Sequence, residues 1–212
     1  MGPKRPDVLF RDERILVLDK PSGLLSVPGI GPEKADCLVT RVQSFAEGAR
    51  IVHRLDRDTS GVIVMAFDAE AHRSLSVQFQ ERQVDKAYLA IAAGQVEPDE
   101  GVIDLPIAKD LANPPRQRVD REHGRPSLTR YRVLTRDRER NQTRLELTPR
   151  TGRSHQLRVH LLALGHPVVG DDLYAPPAVR DAADRLLLHA WRLRVAHPST
   201  AAPMEFEAAC PF

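Results

Sequence analysis

The sequence predicts an α+β fold, a single domain in which a mixed, largely antiparallel sheet is flanked by helices. Three observations carry this. Short extended runs recur along the chain, and two of them flank a polar tip as a hairpin would. Three segments carry apolar residues at helical spacing. No repeat period and no Gly/Ser-rich linker divides the 212 residues.

Val8 to Phe10 and Arg14 to Asp19 form two short strands around an Asp-Glu turn, and Lys20-Pro-Ser-Gly23 is a turn signal. Leu24 to Val27 is extended again until Pro28 and Gly29. Asp36 offers an N-cap to a first helix, with Leu38, Val39, Val42, Phe45 and Ala46 on its apolar side and Gly48 as its stop. Val62 to Met65 has the composition of a buried strand. Asp68 can cap a second helix carrying Ala71, Leu75 and Phe79. In the extended run Val84 to Ala93, Val84, Lys86 and Tyr88 share one face. Gly94 to Pro126 is predicted to be loop, because Pro98, Pro106, Pro114 and Pro115 interrupt it. Ser127 to Thr135 and Thr143 to Pro149 make the hairpin, tipped by Arg136 to Gln142. Ser154 is the expected cap of a third helix with Leu157, Leu161 and Leu164, ending at Gly165. A turn-rich segment follows, and Leu186 to Val195 and Met204 to Ala208 close the sheet.

The chain is 42% hydrophobic and 28% charged, which is ordinary for a globular protein. No apolar run reaches membrane-spanning length, and Met-Gly-Pro-Lys-Arg-Pro lacks the apolar stretch of a signal peptide, so the expected compartment is the cytoplasm. Cys37 and Cys210 share no motif spacing. A net charge of +2 does not by itself imply nucleic acid, and the distribution says more. Arg116, Arg118, Arg121 and Arg125 cluster, as do Arg136, Arg138 and Arg140. Acidic residues interrupt both runs, so solvated hairpin faces suit them equally well.

The stretch His53-Arg-Leu-Asp-Arg-Asp-Thr-Ser-Gly61 places Asp56 and Asp58 on a charged loop at the rim of a buried strand. A carboxylate flanked by Arg54 and Arg57 can be held ionised and serve as nucleophile or base. A plain turn, with Asp58 capping a loop, explains the same residues, and taken alone the stretch favours it. Arg150 to His160 is the second stretch of interest, since a basic loop at a helix N-terminus suits an anion and Arg153 sits at its mouth. His155 and His160 approximate a zinc spacing, but no paired cysteines precede them and five residues apart does not favour one helix face. No phosphate loop, dinucleotide turn or serine nucleophile elbow is present, and an aspartic-protease motif occurs once where two are needed.

Three stretches together resemble the RluA family of RNA pseudouridine synthases: Lys20-Pro-Ser-Gly-Leu-Leu-Ser-Val-Pro-Gly29, His53 to Gly61, and Gly152-Arg-Ser-His-Gln-Leu-Arg-Val-His160 with the following Leu-Gly-His-Pro. Lys86-Ala-Tyr88 and Leu187-Leu-His189 fit in order, and the match runs from about residue 8 to 209. The resemblance implies a pseudouridine synthase-like catalytic domain over 8–209 with no separate N-terminal RNA-binding domain, as in compact members of the family. It implies Asp56 as the catalytic carboxylate, Tyr88 against the target base, and Arg153 as the basic partner of the carboxylate. Arg54 resembles the residue that enters the RNA stack as the uridine leaves. Arg57, His155, Arg116 and Arg118 are further candidates for RNA binding. The implied substrates are the tRNA anticodon stem-loop and a 23S rRNA hairpin, acted on by a monomer without metal or cofactor. A non-catalytic RNA-binding or ribosome-assembly factor is the alternative, against which the Asp56, Tyr88 and Arg153 set argues.

Overall fold

In the computed structural model, which describes residues 5–212, the first two extended runs pair as an antiparallel hairpin, β1 (Asp7–Arg11) and β2 (Ile15–Lys20). The Asp12 carboxylate closes the turn by accepting the N–H groups of Arg14 and Ile15 at 2.7 and 2.8 Å. Helix α1 (Leu38–Gln43), β3 (Arg50–Ile51), β4 (Ser60–Ala66) and α2 (Ala69–Gln80) follow, with β2 and β3 both antiparallel to β4. Every residue of β4 is buried, which is why its sequence shows a continuous apolar run and no alternation.

Asp68 caps α2 as expected, accepting the Ala71 N–H at 2.9 Å. Helix α1 differs from expectation. It begins after Cys37, whose N–H donates to the Thr40 hydroxyl at 3.1 Å, while Asp36 makes a bidentate pair with Arg41 at 2.7 and 2.6 Å. An arginine fork within reach is a stronger partner for Asp36 than one backbone N–H. The apolar pattern beyond Gln43 continues as turns, through Phe45 and Ala46 N–H bonds to the Val42 carbonyl.

The described residues divide into two compact units, one comprising those up to Lys86 with His189–Pro211, the other Ala87–Leu188 with Phe212. It enters the second within β5 (Asp85–Ala93). There follow β6 (Glu100–Asp104), β7 (Ile107–Lys109), β8 (Gln117–Val119), β9 (Leu128–Asp137), β10 (Gln142–Pro149), α3 (Gln156–Ala163) and α4 (Pro177–Arg180). Within the second unit the strand order is β5-β10-β9-β6, all antiparallel, and β7 and β8 form a separate ribbon. The expected loop between Gly94 and Pro126 therefore holds three strands. Its prolines fall outside those strands, where no ladder hydrogen bond is lost. The β9–β10 hairpin has a tighter tip than predicted, since Arg136 pairs with Thr143 and Asp137 with Gln142, and Asn141 takes the left-handed turn conformation at φ 51°.

The last strands, β11 (Leu188–Ala196) and β12 (Pro203–Glu207), return to the first unit. There β11 runs parallel to β4, pairing His189 with Ser60 and Ala190 with Gly61, and antiparallel to β12. The sheet is thus mixed and mostly antiparallel, as predicted. Each unit has its own apolar core. The first gathers Ile15, Val17, Val64, Leu75, Leu193 and Phe206. The second gathers Ala90, Leu145, Leu147, Leu157, Leu161 and Leu186. Among the described residues no helix is long and apolar enough to cross a membrane. Residues 1–4, which enter the signal-peptide reading, lie outside the described residues.

Candidate active site

In the first unit, the loop from His53 to Thr59 is held from below by the Lys20-Pro-Ser-Gly stretch. Lys20 is fully buried, and its ammonium donates to the carbonyls of Pro21, Leu24 and Arg57 at 2.9, 2.7 and 2.9 Å. Ser22 donates to the Asp58 carbonyl at 2.7 Å. Ser26 both donates to the Leu55 carbonyl at 2.8 Å and accepts the Leu55 N–H at 3.1 Å. Residues 55, 57 and 58 are therefore anchored through their backbones, on both sides of Asp56. Burying an ammonium costs several kcal/mol, and short bonds to carbonyl dipoles offset that cost.

The Asp56 side chain is half-buried, and within its own unit its carboxylate has no hydrogen-bond or ion-pair partner among the described residues. The expected flanking role of Arg57 is corrected here. Its guanidinium grips Asp58, with Nε 3.0 and 3.1 Å from the two oxygens and Nη2 3.0 Å from Oδ2. Arg54 is exposed on the same loop.

His53 starts the loop by stacking on Phe79, centroids 4.3 Å apart, and accepting the Val64 N–H on Nε2 at 3.1 Å. Burial, reinforced by the Lys86 ammonium, pushes its imidazole down to about 3, so it is a neutral strut with its proton on Nδ1. Burial also lowers Lys86. At the loop's end, Ser60 Oγ lies 2.8 Å from Nδ1 of His189, whose Nε2 donates to the Ala208 carbonyl at 3.1 Å. That carbonyl can only accept, so Ser60 is the donor to Nδ1. Gly61 is required at this crossing: its φ is +114°, and a Cβ would lie 2.1 Å from the Ala190 carbonyl oxygen.

In the second unit, Tyr88 lies on β5 opposite Leu147 of β10, half-buried against the second core. Arg153 precedes α3. Its N–H donates to the Gln156 side chain at 3.0 Å and its guanidinium reaches the Pro126 carbonyl at 3.4 Å. Ser154 is not the cap. His155 occupies that position in a left-handed conformation, φ 54°, without a side-chain cap bond, and Gln156 ties the preceding loop to the helix start. The Gln156 carbonyl oxygen accepts from Thr151 and Arg153, and its amide donates to the Leu128 carbonyl and the Thr129 hydroxyl. His160 is buried with Nδ1 on the Thr129 hydroxyl and Nε2 on the Leu105 carbonyl, so both its nitrogens are occupied. Burial lowers its pKa. The zinc-like spacing of His155 and His160 thus serves structure.

Behind this loop, Arg158 and Asp171 form a buried bidentate pair at 2.7 and 2.5 Å. Asp171 also accepts the N–H groups of Leu173 and Tyr174. The Tyr174 hydroxyl accepts the Gln117 N–H at 2.7 Å and lies 2.7 Å from His155 Nδ1. Arg116 is exposed on the β7–β8 ribbon, and Arg118, also exposed, pairs with Asp120 at 2.8 Å.

The structure therefore brings together Asp56, Arg54 and Arg57 on one loop, and Arg153, His155 and the Arg116–Arg118 ribbon in the other unit. Sequence reasoning missed Lys20, Gln156, Arg158, Asp171, Tyr174 and His189 as organisers. A signal for Arg158 was available: a charge between Leu157 and Leu161 on an otherwise apolar helix must find a partner.

A family model described as RNA pseudouridylate synthase matches residues 14–163. Dual-specificity RNA pseudouridine synthase RluA of Yersinia pestis is 50% identical over 205 residues, 97% of this chain and 99% of that protein. Its namesake in Escherichia coli K12 is 49% identical over 205 residues, 97% of this chain and 93% of that one. Among solved structures, human RNA pseudouridylate synthase domain containing 1 superposes with a TM-score of 0.84 at 31% identity, covering 100% of this chain and 87% of the human one. The chain belongs to the RNA pseudouridylate synthase family and is an RNA pseudouridine synthase.

Proposed function

We propose that this synthase modifies two substrates, the tRNA anticodon stem-loop and a hairpin of 23S rRNA, as a cytoplasmic monomer with neither metal nor organic cofactor. The two-substrate reading is supported by relatives of about half identity whose names carry dual specificity. Asp56 is its catalytic carboxylate. The observation that carries this role is the loop itself, whose backbone is tied at residues 55, 57 and 58 while the Asp56 carboxylate keeps no partner within its unit among the described residues.

The reaction breaks the N1–C1′ bond of uridine, turns the freed uracil and joins C5 to C1′. The C5 proton is lost and N1 gains one, so no oxidation, hydrolysis or phosphoryl transfer occurs. An ionised Asp56 can attack C1′ or remove a ribose proton; both routes need a fixed, unprotonated carboxylate. Tyr88 is placed against the uracil to assist loss of the C5 proton, and Arg153 is the cation of the reaction. The base must leave its stack at a cost of a few kcal/mol, least for a loop nucleotide, and Arg54 fills the gap. Arg57, His155, Arg116 and Arg118 hold the surrounding RNA.

The test is position-mapped pseudouridine formation in transcribed tRNA and rRNA hairpins, with no added metal or nucleotide, for the native protein and Asp56→Asn. Conversion at defined uridines in both RNAs that vanishes in the variant is expected. Conversion in one RNA only would remove the two-substrate reading, and an active Asp56→Asn would remove the role of Asp56. Light scattering during size exclusion checks the monomer.

A further inference from the structure

The β7–β8 ribbon has three residues per strand, too few for a two-stranded element to hold its orientation alone. Its base is anchored by Ile107, which exchanges both backbone hydrogen bonds with Arg125, and by the Asp120 N–H on the Pro106 carbonyl. At the other end the backbone is anchored by the Tyr174 hydroxyl, which accepts the Gln117 N–H at 2.7 Å. Gln117 lies between Arg116 and Arg118. The same oxygen is 2.7 Å from Nδ1 of His155, whose ring meets the tyrosine edge-on at 5.6 Å. His155 is two residues from Arg153, and its φ of 54° is a conformation that a non-glycine residue leaves readily unless held.

Tyr174 is itself rigidly placed. Its N–H donates to Asp171, which is fully buried against Arg158, and the Arg158 guanidinium lies 5.1 Å over the tyrosine ring. The hydroxyl of a fixed ring thus joins two surface segments that carry the basic residues of this unit's RNA-facing set.

We propose that Tyr174 is a positioning residue for RNA recognition, its hydroxyl setting the β7–β8 ribbon against the Gly152–His155 loop so that Arg116, Arg118 and His155 meet the substrate backbone in one arrangement. The inference rests on the RNA-binding roles proposed above. Phosphate contacts position an RNA without reading its bases, so losing this alignment weakens substrate capture far more than it alters the chemical step.

Tyr174→Phe keeps the ring, its place over Arg158 and the buried Asp171 pair, and deletes only the hydroxyl. In the full-length variant, the Gln117 amide is expected to exchange with solvent at least about tenfold faster, as its acceptor is gone. On a transcribed anticodon hairpin, KM is expected to rise roughly three- to tenfold, the effect of one or two lost hydrogen bonds, with kcat within about twofold. Because Tyr174 acts through the ribbon, the increase in KM should be smaller in an Arg116→Ala background. Unchanged Gln117 exchange would overturn the proposal. So would a fall in kcat together with the thermal midpoint at constant KM, the mark of a merely structural residue. If the native protein converts no uridine in that hairpin, the substrate reading fails separately, and the exchange measurement still decides whether the hydroxyl anchors the ribbon.

Discussion

The two loops that carry the basic and acidic residues of this enzyme are stiffened in opposite ways. The Asp56 loop is held by side chains that bond backbone carbonyls: Lys20, Ser22 and Ser26 reach residues 55, 57 and 58, and Asp56 itself is left with no partner in its unit among the described residues. The Arg153 loop rests on side chains bonded to one another, with Arg158 on Asp171, Tyr174 on His155 and Gln156 on Thr129 and Thr151. The first mode fixes a chain path and spends no charge of Asp56. The second neutralises buried charge in pairs and confers rigidity on a segment that carries Arg150 exposed and Arg153 half-buried.

The contrast predicts unequal costs. Arg158→Ala strips the partner from a fully buried Asp171 and is expected to destabilise the protein by about 3–5 kcal/mol in urea titration. A loss below about 1 kcal/mol would show that the pair is not what holds that turn. Lys20→Met removes the buried ammonium along with its three bonds, so its desolvation cost disappears as well. A net loss of about 2 kcal/mol is expected, with kcat reduced by at least about tenfold because the Asp56 loop is freed. Full activity at saturating RNA would break the claim that this lysine organises the site.

His53 supplies a pH dependence. Its folded imidazole stays neutral down to about 3, whereas the unfolded group protonates near 6.5, so between these values the unfolded chain binds more protons. Stability is therefore lost as pH falls through that window, by up to about 1.4 kcal/mol per unit. Denaturant midpoints at several pH values should show a shallower slope in His53→Gln, with His160 contributing a residual slope of the same sign. The smallest effect is expected at the Arg57–Asp58 pair, where Arg57 is 54% exposed. Asp58→Asn should change stability by less than about 1 kcal/mol and leave the Asp56 carboxylate, proposed as catalytic, intact. A large loss of kcat there would mean that Asp58 has been assigned too small a part.

Much of this was legible in the chain. The buried strand at Val62 to Met65, the Asp68 cap and the β9–β10 hairpin follow from local pattern, because their determinants lie within a few residues of each other. The three strands between Gly94 and Pro126 were not legible, since β6 is defined by a partner, β9, about thirty residues on, and the prolines that suggested loop sit at its boundaries. The caps failed for a related reason: Asp36 had Arg41 to choose, and Ser154 gave way to His155, whose ring bonds Tyr174 nineteen residues on. For the site, Asp56 was visible as part of a motif, but Lys20 read as a turn residue. Its acceptor on Arg57 lies 37 positions away, and only the folded backbone puts it there.

The parallel register of His189 on Ser60 joins residues 129 positions apart, and the first unit is completed by His189–Pro211. On a ribosome this sets an order of events. The Asp56 loop is made before the second unit, and β11, the strand beside the end of that loop, only after it. Nearly all of the second unit leaves the tunnel before the first can close. A nascent chain that has not yet reached His189 therefore carries Asp56 without the Ser60–His189 contact at the end of its loop.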